Sequence, residues 1–87
     1  GALLVDVREQ GERDIVVIPG AQWVTLDVIR RGAEDLPTGA RVLVHCKSGA
    51  RSAEAVRLLR ARGVDAVNVT GGVLAWIREI DPTLPTY

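Results

Sequence analysis

The chain alternates between short apolar runs and longer segments in which polar residues recur at helical spacing. Four runs rich in Val, Leu and Ile predict β-strands, at residues 3–7, 23–26, 41–46 and 64–70. The first run is almost wholly apolar, which is typical of a strand covered on both faces. We therefore expect a sheet with elements packed on both of its sides.

Two of the segments between or after these runs predict helices with recognisable ends. Residues 27–36 predict a helix with Asp27 as its N-cap, closed by residues 37–39. Residues 73–80 predict a last helix, which residues 81–82 stop because proline disfavours the helical conformation in the residue before it.

The clearest helical pattern covers residues 50–62. Its charged positions recur every third residue, at Glu54, Arg57 and Arg60. The positions between them include the apolar residues Ala53 and Leu59, which predicts an amphipathic helix. Gly63 follows it in the position of a left-handed C-cap.

The order of these elements predicts the fold class. Residues 8–14 are polar and acidic-rich and predict a surface segment with one helical turn, and residues 18–21 (IPGA) predict a tight turn. Strands that alternate with helices indicate an α/β fold with a mainly parallel sheet.

Size, charge and cysteine content narrow the possible functions. The 87 residues suffice for one small domain, expected over residues 1–87. The net charge of +0 gives no support for a nucleic-acid or membrane partner. One cysteine cannot form an internal disulfide, so a reducing, cytoplasmic setting is expected. The chain begins almost inside a strand and without Met, and we expect it to be a piece of a longer protein.

The segment VHCKSGARS, residues 44–52, holds the single cysteine, Cys46, at the end of the third predicted strand. In open α/β sheets the working crevice lies beyond the carboxyl ends of the strands. The free N–H groups at the start of the next helix, together with Lys47 and Arg51, favour a thiolate over a thiol. The loop therefore predicts a nucleophilic cysteine.

This loop has alternative interpretations. Free cysteine is often a buried core residue, but a core cysteine needs no Gly-containing cationic loop behind it. Cys46 and Arg51 are spaced as C-x4-R. That is one residue shorter than the C-x5-R loop of phosphatases, and the tighter ring suits a single extra sulfur atom on the cysteine. A phosphatase or arsenate reductase, and a catalytically idle interaction module, are kept as alternatives.

Four segments in order resemble the rhodanese-like sulfurtransferase family. They are LLVDVRE at residues 3–9, IPGA at 18–21, VHCKSGARS at 44–52 and GGVLAW at 71–76. The resemblance implies a rhodanese-like α/β fold, with a mainly parallel central sheet flanked by helices on both sides. It also implies a sulfurtransferase of the thiosulfate sulfurtransferase type, in which Cys46 carries sulfur as a persulfide without a metal or other cofactor.

The loop and the resemblance also imply roles for further residues. The residues expected to bind the substrate are Lys47, Ser48, Gly49, Ala50 and Arg51. Ser48 either donates its hydroxyl to the bound sulfur or only turns the loop. Asp6 and Arg8 resemble a structural charge pair near the site. Strand alternation directs His45 away from the face of Cys46, so we expect a packed or hydrogen-bonded histidine.

The chain departs from the family in two places and matches one subgroup at its end. Val16 and Val17 stand where the family has Gly-His, and the family's first strand and helix, upstream of residue 3, are missing. The ending AWIREIDPTLPTY is similar to the C-terminal rhodanese domain of MoeZ-type proteins. That similarity implies an adenylyltransferase domain in the same chain and a ubiquitin-like sulfur carrier protein as partner. It also implies a place in molybdenum cofactor or cysteine biosynthesis.

Two further features have a structural interpretation and a functional one. Trp76 is expected in the core rather than in contact with a cofactor. Residues 41–63 carry six basic side chains, at Arg41, Lys47, Arg51, Arg57, Arg60 and Arg62. A solvated helix face is the ordinary explanation, whereas positive potential around the loop would attract an anionic donor or an acidic protein.

Overall fold

The fold is a four-stranded, all-parallel sheet with connecting helices, in which the strands lie side by side in the order 22–23, 2–6, 41–45 and 65–68. The computed structural model describes residues 2–37, 39–79 and 83, without the side chains of Trp76 and Glu79. The elements are β1 (Ala2–Asp6), α1 (Gln10–Arg13), β2 (Gln22–Trp23), α2 (Leu26–Arg30), β3 (Arg41–His45), α3 (Ala50–Ala61), β4 (Asp65–Asn68) and α4 (Gly72–Glu79). The α/β class with a parallel sheet is confirmed.

Side-chain alternation along the strands divides the core between the two faces of the sheet. On one face Val5 and Val44 pack with Ile29 and with Leu59 of α3 in the larger cluster. On the other face Leu4 packs against a smaller cluster formed by Val16, Ile18, Val73 and Ile77. Because successive residues of a strand point to opposite faces, the apolar run of β1 supplies both clusters.

The region of β2 and α2 differs from the sequence prediction. β2 pairs with β1 over only two residues, and Leu26 begins α2 instead of ending a strand. The N-cap is Thr25 and not Asp27, because the Thr25 hydroxyl accepts a hydrogen bond from Val28 N at 3.4 Å. The helix ends at Arg30, so most of the predicted segment 27–36 is not helical.

The elements on either side of Cys46 match the prediction closely. β3 ends at His45, so Cys46 is the first residue after the strand and not its last. Helix α3 begins at Ala50 as predicted, and Gly63 has the expected positive φ of 86°. Ala53 is exposed, whereas Ser52, Ala55, Val56 and Leu59 form the buried side of the helix.

The last helix begins one residue earlier than predicted, at Gly72. Its predicted end at residues 80–82 and the predicted core position of the Trp76 side chain lie outside the described residues. Within the described ranges no helix is long and apolar enough to cross a membrane.

Candidate active site

Cys46 lies where the carboxyl ends of the parallel strands meet. It follows β3, one of the two interior strands, and the last residues of the neighbouring strands are Asp6 in β1 and Asn68 in β4. The residue is only 1% exposed, so its sulfur sits beneath the loop that leads into α3. The loop therefore surrounds the sulfur with its own backbone.

Hydrogen-bond donors of this loop converge on the sulfur. Gly49 N lies 3.1 Å and Ser52 N 3.4 Å from Cys46 Sγ, and the Ser52 hydroxyl oxygen lies 3.4 Å from it. Burial of Cys46 raises the pKa of its thiol. Hydrogen bonds from the Ser52 hydroxyl and from the N–H groups of Ser52, Gly49 and Ser48 outweigh this effect, so the pKa lies below its usual value.

The loop can turn its N–H groups inward because its carbonyl groups accept hydrogen bonds from α4, on the outer side of the loop. Val73 N donates to Cys46 O at 2.9 Å and Leu74 N donates to Lys47 O at 3.2 Å. These donors are N–H groups of the first turn of α4, which would otherwise lack partners within their helix. Gly49 has a φ of 121°, outside the range that other residues adopt readily, and this brings its N–H towards the sulfur.

The Gly71-Gly72 pair explains how α4 approaches the loop so closely. A Cβ atom at position 72 would lie 2.3 Å from Cys46 O and 2.7 Å from Lys47 O. Gly72 also has a positive φ of 54°. The glycine is therefore required by the contact between α4 and the cysteine loop.

Ser52 and Asn68 complete the site, and neither is among the site residues predicted from the sequence. The Ser52 hydroxyl oxygen lies 2.6 Å from Asn68 Oδ1 and 3.1 Å from Gly49 O, and its single proton serves one of these oxygens or Cys46 Sγ at a time. Gly49 O also accepts from Asn68 Nδ2 at 3.2 Å. Signals for both residues were available. Ser52 closes the motif VHCKSGARS, and Asn68 lies within the predicted strand 64–70 and ends the observed strand β4, which pairs with β3.

The other predicted loop residues have different surroundings. Ser48 and Ala50 are exposed, and Lys47 is half-buried. The charge of Arg51 is paired, because its Nη1 and Nη2 each donate to a carboxylate oxygen of Glu12 in α1, both at 2.6 Å.

Much of the expected positive surface is neutralised in a similar way. Arg41 pairs with Asp65, and Arg62 pairs with Glu34. Arg60 differs, since it donates to an uncharged acceptor, Ala66 O, at 2.8 Å. The six basic residues between positions 41 and 63 therefore do not form one unpaired cationic face.

Asp6 and Arg8 form a buried charge pair beside the loop. Both are 0% exposed, so the expectation of a surface position for residue 8 is wrong. Arg8 Nη2 donates to Asp6 Oδ2 at 2.9 Å and to Val16 O at 2.6 Å. Burial raises the pKa of the Asp6 carboxyl, but the hydrogen bonds from the side chain and backbone of Arg8 outweigh it, so the pKa is lowered.

His45 connects this pair to the cysteine loop. Its ring is fully buried, with Nδ1 3.4 Å from Cys46 O and Nε2 3.9 Å from Asp6 Oδ2. Burial lowers the pKa of His45, and the neighbouring Asp6 charge offsets this only in part. The imidazole is thus packed behind the loop, where burial disfavours its protonated form. No group of three or more metal-binding side chains occurs among the described residues.

Fold and site together define a class of proteins: parallel α/β domains with a hydrogen-bonded cysteine at the turn from an interior strand into a helix. The amino-acid sequence identifies the family within this class. It belongs to the Rhodanese-like domain family, whose profile matches residues 1–79.

Relatives and solved structures agree with this assignment. The chain is 39% identical over 87 residues to the probable adenylyltransferase/sulfurtransferase MoeZ of Mycobacterium tuberculosis, covering 97% of this chain but only 22% of that protein. It is 35% identical to the putative sulfurtransferase YtwF of Bacillus subtilis, covering 91% of this chain and 77% of that one. The crystal structure of a rhodanese-like domain protein from Staphylococcus aureus superposes with a TM-score of 0.82 at 34% identity, covering 100% of this chain and 82% of that chain. These names support a sulfurtransferase role.

Proposed function

We propose that the domain carries sulfur as a persulfide on Cys46. The observation that supports this most strongly is the set of donors around Sγ, which are Gly49 N, Ser52 N and the Ser52 hydroxyl. A thiolate is the nucleophilic form of cysteine, and short hydrogen bonds from fixed donors favour the anion. The same donors suit the negative charge of a terminal persulfide sulfur.

Sulfur transfer from thiosulfate illustrates the first half of the cycle. The Cys46 thiolate attacks the outer sulfur, a new bond forms between Sγ and that sulfur, and the old sulfur–sulfur bond breaks. Its electron pair leaves with sulfite. In the second half a nucleophile or an activated acyl group accepts the outer sulfur, and the Cys46 thiolate is regenerated.

The acceptor that we propose is the activated C-terminus of a ubiquitin-like sulfur carrier protein. The support is the similarity to MoeZ, whose name includes an adenylyltransferase and of which this chain covers 22%. An adenylyltransferase domain would supply the carrier's acyl-adenylate, and the persulfide would displace AMP to form an acyl disulfide. A second thiol, from elsewhere, would then reduce this disulfide to a thiocarboxylate. Such thiol chemistry fits a cytoplasmic setting and a role in molybdenum cofactor or cysteine biosynthesis.

Intact-mass measurement tests the proposal. Excess thiosulfate should add about 32 Da to the wild-type protein, and dithiothreitol should remove the addition. The Cys46→Ser variant should fold and gain nothing. An unchanged mass of the wild-type protein, or an equal gain in the variant, would rule out the persulfide. Rapid hydrolysis of para-nitrophenyl phosphate that requires Cys46 would instead favour the phosphatase alternative.

The acceptor is tested separately by weighing the carrier. Loaded domain, adenylyltransferase, ATP, reductant and carrier protein are mixed, and the carrier should gain about 16 Da as sulfur replaces oxygen. No gain despite a loaded Cys46 would leave a sulfurtransferase with a different acceptor.

A further inference from the structure

The ion pair between Arg51 and Glu12 adds a carboxylate to the surroundings of the cysteine loop. Both guanidinium contacts are 2.6 Å, and the side chains are only 35% and 19% exposed. A bidentate, largely shielded pair of this kind is held more firmly than an exposed pair. Arg51 therefore brings its positive charge to the loop together with a compensating negative charge.

The position of Glu12 is fixed by its own helix. Glu9 N donates to Glu12 Oε2 at 2.9 Å, and the Glu9 side chain accepts from the backbone N–H of Glu12. This reciprocal capping box holds the Glu12 side chain against the N-terminus of α1. The next residue, Arg13, lies over the Trp23 ring at 5.1 Å and 3.4 Å from Asp6. The Glu12 carboxylate therefore has a fixed position between α1 and the cysteine loop.

We propose that Glu12 is a specificity-determining residue that selects sulfane-sulfur donors by their charge. By compensating Arg51 it lowers the attraction of the site for small dianions and favours donors with one negative charge or none. Coulomb energy is proportional to the charge of the donor, so the effect is twice as large in free energy for a dianion as for a monoanion. The inference rests on the proposed sulfur transfer and names the donor class for that site.

Two small donors separate charge from shape. Thiosulfate carries two negative charges, whereas methanethiosulfonate has a methyl group in place of one anionic oxygen and carries one. Both present the same kind of outer sulfur to the Cys46 thiolate. The sulfur–sulfur bond breaks in each case, and the electron pair leaves with sulfite or with methanesulfinate.

The experiment compares kcat/KM for both donors in the wild-type protein and in Glu12→Gln. Glutamine is accepted at this position of a capping box and can still receive hydrogen bonds through its amide oxygen, so α1 should persist. Removing the carboxylate charge should raise kcat/KM about tenfold for thiosulfate and about threefold for methanethiosulfonate, chiefly through a lower KM. Raising the salt concentration should shrink both gains.

Glu34→Gln is the matched control. Glu34 pairs with Arg62, whose side chain is 34% exposed, and Glu34 itself is 11% exposed. Arg62 caps the far end of α3, about 16 Å along the helix axis from Arg51. That distance exceeds the screening length of physiological salt, so this variant should change neither donor's kinetics. The double variant Glu12→Gln/Arg51→Gln should return the ratio of kcat/KM for the two donors to about its wild-type value.

Several outcomes would overturn the inference while leaving sulfur transfer intact. These are equal changes for both donors, no change or a loss for thiosulfate in Glu12→Gln, or the same gain in Glu34→Gln. If Glu12→Gln does not fold, Arg51→Gln gives the opposite test: the uncompensated carboxylate should lower thiosulfate kcat/KM more than methanethiosulfonate kcat/KM. Absence of any sulfur adduct on the wild-type protein with either donor would instead contradict the proposed function itself.

Discussion

Asp6 at the end of β1 and Cys46 just after β3 are neighbouring buried acids, and the fold stabilises their anions by different means. Asp6 is bound by the guanidinium of Arg8 at 2.9 Å, with Arg13 3.4 Å away. Cys46 is bound by two N–H groups and a hydroxyl. A full opposite charge suits a carboxylate that stays ionised throughout. Neutral dipoles suit the sulfur transfer proposed for Cys46, because they favour its anion without pairing it to a fixed cation.

The largest loss of stability is expected when the buried ion pair between Asp6 and Arg8 is removed. Asp6→Ala would leave Arg8 buried without its partner and should lower the free energy of unfolding by about 3–5 kcal/mol, measured by urea denaturation. Because the pKa of Asp6 is lowered in the folded protein, its contribution is present above the ordinary carboxyl pKa and is lost as the pH falls. The difference between wild type and variant should therefore shrink in acid.

Asp65→Ala is the control for this variant. Its ion pair with Arg41 is exposed on both sides, so its loss should cost less than about 1 kcal/mol. Similar losses for Asp6→Ala and Asp65→Ala would show that the buried pair is not a special structural element.

A smaller loss of stability, together with loss of function, is expected when the contact between α4 and the cysteine loop is disturbed. Gly72→Ala would place a Cβ against Cys46 O and should cost about 3 kcal/mol, with loss of sulfur loading. Gly20→Ala is the control, because Gly20 also has a positive φ, of 84°, but has nothing within 4 Å of its Cβ position. It should cost about 1 kcal/mol and keep loading. Equal losses of stability and loading in both variants would contradict the role given to Gly72.

The sequence was most informative where one local pattern controls the outcome. The apolar runs predicted β1 and β3, and the charge spacing predicted α3, because burial and helical periodicity decide these elements locally. The pattern failed at residues 23–36, where competing caps and an edge strand of two residues left the boundary to tertiary packing. Thr25 and Asp27 are both good N-cap residues, and only the backbone geometry selects between them.

The sequence predicted the cysteine of the candidate site better than it predicted the side chains that contact the cysteine loop. The resemblance and the strand-to-helix turn both indicated Cys46, and the carboxyl edge of the sheet follows from the parallel topology. The partners Ser52, Asn68 and Glu12 come from different elements, and their local sequence does not show which atoms they contact. The charge of Arg51 was visible in the sequence, but its compensation by a residue 39 positions earlier was not.

The pH dependence of Cys46 alkylation by iodoacetamide tests the central claim, that hydrogen bonds rather than cations hold the thiolate. Rates are measured at low and at high salt for the wild-type protein and for Ser52→Ala, whose folding is checked by circular dichroism. The wild-type midpoint should lie below that of an ordinary cysteine at both salt concentrations, since short hydrogen bonds are not screened, and it should rise in Ser52→Ala. A wild-type midpoint that moves up to the ordinary value in high salt, together with an unshifted midpoint in Ser52→Ala, would contradict the account.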